Sequence, residues 1–176
     1  MKSFLKDIKN KIIGVKNVNS KLPFKLPDLL NELIEKDIWP NNSNANSQNS
    51  TPIVDFERVL QIDPEAVTLF LYPLQFTTVS KLATGSESQL WSDLNMSKAN
   101  SQIDSNKVVI IGDFGLGTDS AIALNYQYDL ENPKVIRLGW VINGHKIHAE
   151  WFNVADSFNE FADKIGLSEI LKFNSE

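Results

Sequence analysis

The chain has 176 residues, 42% of them hydrophobic and 22% charged. That is material for one ordinary globular core, which excludes wholesale disorder and makes a single domain over 1–176 the expectation. Zero cysteines exclude disulfides, thiolate zinc sites, iron–sulfur clusters and a cysteine nucleophile, and two histidines, His145 and His148, leave a histidine triad or zinc site almost without candidates.

The net charge of −5 is unevenly spread. Residues 1–25 hold seven lysines (Lys2, Lys6, Lys9, Lys11, Lys16, Lys21, Lys25) against Asp7 alone, a local +6 that leaves −11 on the remainder. An acidic body disfavours a phosphate backbone, which needs a basic face to displace counterions, so no nucleic acid is expected and a basic protein partner suits it better. Between those lysines Phe4, Leu5, Ile8 and Ile12 recur at helical spacing, which predicts an amphipathic helix over about 2–13, docked on the core and not on a membrane. The amino end lacks a continuous apolar stretch and a small-residue cleavage site, so no signal peptide is expected. No apolar run approaches the roughly 18 to 20 residues that span a bilayer, and the expected location is the cytoplasm.

After Pro23 and Pro27, the stripe Leu29, Leu30, Leu33, Ile34 and Ile38 predicts a second helix over 27–37. Residues 41–50 hold one alanine among nine polar residues, too little apolar area to offset ordering entropy, and read as a flexible insertion. The run A-V-T-L-F-L-Y at 66–72 reads as a buried strand ended by Pro73; residues 52–62 fit either a short strand or a helical turn. In the polar segment 77–106, Q-L-W-S-D-L-N-M suggests one short helix.

The carboxy-terminal half reads as an antiparallel meander. K-V-V-I-I at 107–111 is an apolar β-branched run, and over 121–128 Ile122, Leu124, Tyr126 and Tyr128 alternate onto one face. Asn143-Gly144 between two further strand runs is a strong hairpin signal, both residues taking positive φ in a type I′ turn. That turn sets Ile142 opposite His145, pairs Trp140 with Ile147, Leu138 with Ala149 and Ile136 with Trp151 on one buried face, and Arg137 with Glu150 on the other. The two histidines, three apart, then point to opposite faces. Beyond the hairpin, Ser157 and Glu160 fit a capping box, Phe158, Phe161, Ala162 and Ile165 form a helical stripe meant for the sheet, and Gly166 stops the helix. L-S-E-I-L-K-F adds at most a last turn.

G-D-F-G-L-G-T-D-S at 112–120 is the place to look for chemistry. It lacks the G-K-[ST] of a phosphate-binding loop, and a strand follows it, so no helix N-terminus is available for a pyrophosphate. Its D-F-G occurs in protein kinases too, but with an H-R-D loop and paired lysine that this chain lacks. Asp113 and Asp119 are the only paired carboxylates, too few for a calcium loop, so no metal and no cofactor are expected. The glycines are expected at positive φ in a tight or bulged hairpin, with Asp side chains bonded to turn amides. Without a G-x-S-x-G elbow or a base beside Ser120, no catalytic residue can be named.

Three segments in order, L-P-D-L-L-N-E-L-I, V-V-I-I-G-D-F-G-L-G-T-D-S-A-I-A-L-N-Y and W-F-N-V-A-D-S-F-N-E-F-A-D-K-I-G-L, resemble the SUKH superfamily over residues 21–167. The matching positions are Leu26-Pro27, then Gly115 and Gly117 with Ile122 to Asn125, then Trp151, Ala155, Ser157, Phe158 and Phe161. The resemblance implies an α+β domain with a mainly antiparallel sheet, and a non-enzymatic binding role: many bacterial members are immunity proteins that neutralise a toxin by direct binding. The 41–50 insertion, the long 77–106 segment and the lysine-rich leader depart from the pattern and bear on the partner more than on the fold.

The expected function is therefore a cytoplasmic immunity protein binding a cognate toxin domain with a basic surface. The alternative is a SUKH-like regulatory or scaffold module for another protein partner, and a small carboxylate or metal hydrolase comes third. Asp113, Asp119, Asp129 and Glu131, in loops at the two ends of one strand roughly 20 Å apart at about 3.3 Å per residue, form the expected acidic contact edge.

Overall fold

The computed structural model describes residues 22–40, 54–73, 76–84, 103–115 and 120–173. The expected helix over 2–13, the insertion at 41–50 and the short helix in Q-L-W-S-D-L-N-M lie outside them. In chain order the elements are α1 (Asp28–Glu35), α2 (Phe56–Ile62), β1 (Phe70–Leu71), β2 (Thr77–Thr78), α3 (Val79–Thr84), β3 (Val108–Asp113), β4 (Ala121–Asn125), β5 (Lys134–Asn143), β6 (Lys146–Ala155), α4 (Phe158–Lys164) and α5 (Leu167–Phe173). The strands make one antiparallel sheet in the order β1-β3-β4-β5-β6, with β2 following β1 along the same edge of β3. The fold is α+β with an antiparallel sheet.

Both faces of this sheet are covered, and the alternation along each strand sorts residues between them. Val109, Ile111, Ile122, Leu124 and Val135 face the larger core, where they meet Leu30 and Leu33 of α1, Val59 of α2, Phe158 and Phe161 of α4, and Trp39. Val108, Ile110, Ala121, Ala123, Ile136 and Leu138 face a smaller core closed by Val79 of α3. β3 and β4 are consequently buried throughout, which is why they read as continuous apolar runs. Trp39 ties the layers together: its Nε1 donates to the Tyr72 carbonyl at 2.8 Å, and its ring lies 5.8 Å from Phe158. At Gly112 the ladder with β4 is irregular, and an added Cβ would stand 2.5 Å from the Phe70 carbonyl, so β1 can approach only a glycine there.

Several segments differ from their sequence patterns. The strand expected over 66–72 shrinks to Phe70–Leu71, because the Val67 and Thr68 amides donate to the Phe114 carbonyl and leave the ladder, with Val67 exposed. Residues 56–62 are helical: the Asp55 carboxylate accepts from the Glu57 amide at 3.0 Å and starts α2. β4 stops at Asn125, so Tyr126 is still buried with Ile122 and Leu124 while Tyr128 is exposed. L-S-E-I-L-K-F is a full helix, α5, beginning directly after Gly166 at φ +84°.

The hairpin register moves by two residues. Gly144 alone takes positive φ, +62°, so the two-residue loop is Gly144-His145, and Asn143 stays in β5 opposite Lys146. Positive φ at only the first central residue suits a type II′ turn, not the type I′ turn expected from Asn-Gly. A shift of two preserves which residues share a face and changes every partner. Trp140 pairs with Ala149, Leu138 with Trp151, Ile136 with Asn153, and Ile142 with Ile147. Arg137 opposes Phe152 instead of Glu150, which sits opposite Gly139. The guanidinium lies 5.2 Å over the Phe152 ring and 3.1 Å from Asp63, and Gly139 leaves it room: a Cβ there would be 2.8 Å from Arg137 Nη1.

The expected burial of the hairpin face holds only at its base. β4 accompanies β5 no farther than Arg137, so the hairpin beyond it projects past the sheet. Ile136, Leu138 and Ala149 are buried and Trp151 is half-buried, whereas Trp140, Ile142 and Ile147 are 47%, 73% and 66% exposed.

Ser157 caps α4 by accepting from the Glu160 amide at 3.1 Å, and Glu160 reaches back to the Asp156 amide at 2.8 Å. Hydrogen bonding to Lys164 and then to that amide holds the Glu160 carboxyl below its ordinary range, and Lys134 does the same for Asp156. Depressed folded-state values stabilise the native chain at pH values above the unfolded carboxylate range and lose that contribution as pH falls through about 4 and below. The thermal midpoint should therefore hold steady from neutral pH to about pH 5 and fall below it. The gap between the wild type and Glu160→Gln should close as the pH drops, as read by melting curves across a pH series; a gap independent of pH would remove Glu160 from the cause.

Candidate partner-binding surface

Tyr126, just past the end of β4, organises one end of the molecule. Its ring stacks on Phe24 with centroids 4.5 Å apart, and its hydroxyl donates to the Lys25 carbonyl at 3.0 Å. Burial pushes its phenol above the ordinary range, so it stays a neutral donor. This pins the segment before α1 beside the β4–β5 connection. There Asp129 Oδ1 accepts from the Glu131 and Asn132 amides at 2.8 and 2.9 Å, an Asx-type turn that depresses the Asp129 carboxyl through those amide bonds and presents both carboxylates to solvent.

The result is a groove of about 270 Å³ lined by Lys25, Asp28, Glu131, Asn132, Ser157 and Asn159, among others. Asp28 is 84% exposed at its side chain and pairs with Lys25 at 2.8 Å, a solvated contact of little energetic weight. Asp28 and Glu131 against Lys25 leave the groove lining with a net negative charge, and the exposed Asp129 lies in the turn beside it. Sequence reasoning missed Asp28, because as an acid in a helix first turn it looks purely local. The Tyr126 anchor and the packing of α1 on the core bring it beside Glu131, about a hundred residues later.

Of the other two expected contact residues, Asp113 is not part of this surface. Asp119 and Gly117 lie outside the described residues. Asp113 is 1% exposed and works as a pin: its Oδ1 accepts from the Gly115 amide at 2.6 Å. Burial, together with the charge of Asp113 and a hydrogen bond to it, pushes the Tyr72 phenol up to about 12. Asp113 thus bonds a turn amide as expected, yet a group held this way cannot meet a partner. Gly115 is not at positive φ; its missing Cβ would stand 3.2 Å from Asp113 Oδ1.

The histidines follow the hairpin. His145 is exposed in the turn itself, and His148 Nε2 is 2.8 Å from Glu150 Oε1 on the same strand. Among the described residues no group of three or more His, Asp or Glu side chains is placed to hold a metal ion, and no helix is long and apolar enough to cross a membrane. A second hollow of about 310 Å³ contains Asp63, Glu65, Ser120, Arg137, Trp140 and Phe152, but its guanidinium is committed to Asp63. Chemically, then, the described surface offers charge and shape for docking, concentrated at the acidic groove. Compared with family models, with curated proteins and with solved structures, the chain matches none.

Proposed function

We propose that the protein is a non-enzymatic binding protein of the immunity type, acting in the cytoplasm by direct contact with a toxin domain that carries a basic surface. The observation that carries this reading is the acidic groove, in which Asp28 and Glu131 come together from distant segments beside the rigid Asp129 turn. Its support from the sequence is the ordered resemblance of three segments to the SUKH superfamily, whose implied antiparallel α+β architecture agrees with the fold. Surface carboxylates of this kind mainly speed encounter with a basic partner, and salt weakens the effect within a Debye length of about 10 Å.

The test pairs the chain with the carboxy-terminal domain of a large secreted protein, where one is encoded beside it. Co-expression should protect cells from that domain, and association of the purified pair should slow as salt is added. The Asp129→Lys, Glu131→Lys double variant should fold normally and associate about tenfold more slowly or worse. Full protection and salt-independent association by the double variant would remove the groove from the interface. Binding to a different protein, with no protection against the neighbour's product, would select the regulatory alternative.

A further inference from the structure

The hairpin tip lies at the far end of β5 from the acidic groove, about 33 Å away at roughly 3.3 Å per residue. β6 is the last strand of the sheet, and among the described residues no strand lies beside it. Near its end the edge is blunted where Lys164 Nζ bonds the Val154 carbonyl at 2.7 Å; over 146–151 no such cover is present among the described residues. Pairs flanking a two-residue hairpin loop exchange both hydrogen bonds, and the ladder alternates from there. Lys146, His148 and Glu150 therefore bond inward to β5, while the amides and carbonyls of Ile147, Ala149 and Trp151 face outward. This open edge carries Ile147, 66% exposed, next to Ile142 and Trp140 on the same face. An exposed edge strand with apolar residues and no proline is a template for another strand.

From these features we infer that β6 pairs antiparallel with β6 of a second copy of this chain about a twofold axis at His148. The outward groups sit on odd-numbered residues, so only registers joining odd to odd can form hydrogen bonds. With His148 opposite itself, Ile147 and Ala149 exchange bonds with the second copy's Ala149 and Ile147. Lys146 then stands opposite the second copy's Glu150, and Glu150 opposite its Lys146. Those two pairs fall at non-hydrogen-bonded positions, where opposed side chains come closest, about 4.5 Å between Cα atoms. Either neighbouring register loses both pairs. Lys146 has no ion-pair partner of its own among the described residues, and Glu150 uses Oε1 for His148, leaving Oε2 for the second copy. Pairing joins two projecting two-stranded arms into four strands with Trp140, Ile142 and Ile147 from each copy on one face, removing the unsupported edge. This goes beyond the proposed binding role and does not depend on it.

The purified full chain should show a concentration-dependent mass rising towards twice the monomer in sedimentation experiments. Lys146→Glu or Glu150→Lys alone sets like charges opposite each other twice per dimer and should weaken dimerisation about tenfold. The combined Lys146→Glu, Glu150→Lys chain should recover it. Because the chain has no cysteine, His148→Cys gives an unambiguous register test. Two such residues at the axis are within disulfide reach and should oxidise to a covalent dimer, whereas Lys146→Cys residues would stand about 13 Å apart and should not. Ile147→Pro, which blocks an outward amide at an exposed position, should leave a monomer whose circular dichroism is unchanged. A monomer at every concentration overturns the inference. So does a dimer indifferent to both single reversals, or one in which Lys146→Cys cross-links as readily as His148→Cys.

Discussion

Replacing Phe158 by alanine is expected to cost about 3 to 5 kcal/mol, a large share of the 5 to 15 kcal/mol typical of a folded domain. Phe158 is 1% exposed at the first turn of α4, 6.0 Å from the Phe161 ring and 5.8 Å from Trp39, so its loss opens a cavity among side chains that the sheet and α1 hold in place. Phe161, fully buried, should behave alike. The measurement is the urea midpoint at constant m value. Phe173→Ala supplies the contrast: that ring is 80% exposed on α5, and its removal should stay within about 0.5 kcal/mol. A Phe158→Ala loss under about 1 kcal/mol would mean that α4 is peripheral to the core.

Arg137→Met should cost about 2 to 4 kcal/mol, most of it from the carboxylate left behind. Asp63 is 4% exposed at its side chain and Arg137 21%, so removing the cation strands a buried charge, while a solvated pair would cost little. Asp63 Oδ1 also accepts from the Glu65 amide at 3.1 Å, and an asparagine can keep that bond without the charge. Adding Asp63→Asn to Arg137→Met should therefore restore most of the lost stability, although the guanidinium stacked on Phe152 is gone in both variants. If the double variant is no more stable than Arg137→Met, the cost lies in packing around Phe152 and not in the buried charge. Urea titrations of the four proteins in the cycle decide between these outcomes.

Local chemistry made much of the fold legible before any coordinates. The α4 stripe, its Ser157 cap and the strand runs at 107–111 and 121–128 depend on neighbours a few residues away, and they stand where those patterns place them except that β4 ends early, at Asn125. The hairpin shows where such reading thins out. Period-two alternation assigns residues to faces and survives a register shift of two, so it is blind to partners. Which two residues make the turn was settled by positive φ at Gly144 alone, and with it the pairing of Arg137 with Phe152.

The candidate site was half visible. Asp129 and Glu131 sit in a turn whose exposure follows from its own sequence, E-N-P included, because that turn satisfies its own amides. Asp113 looked equivalent and is not, since its burial is produced by β1 and Tyr72, some forty residues earlier, packing along β3. By itself the sequence determined the antiparallel α+β class, the Ser157 cap and the division of β5 and β6 into faces, all products of short-range sterics and hydrogen bonding. Only the tertiary structure decided which carboxylates reach solvent, what lies beside them and how far the β5–β6 arm outruns the sheet, because burial at one residue is set by chains that arrive from far away in sequence.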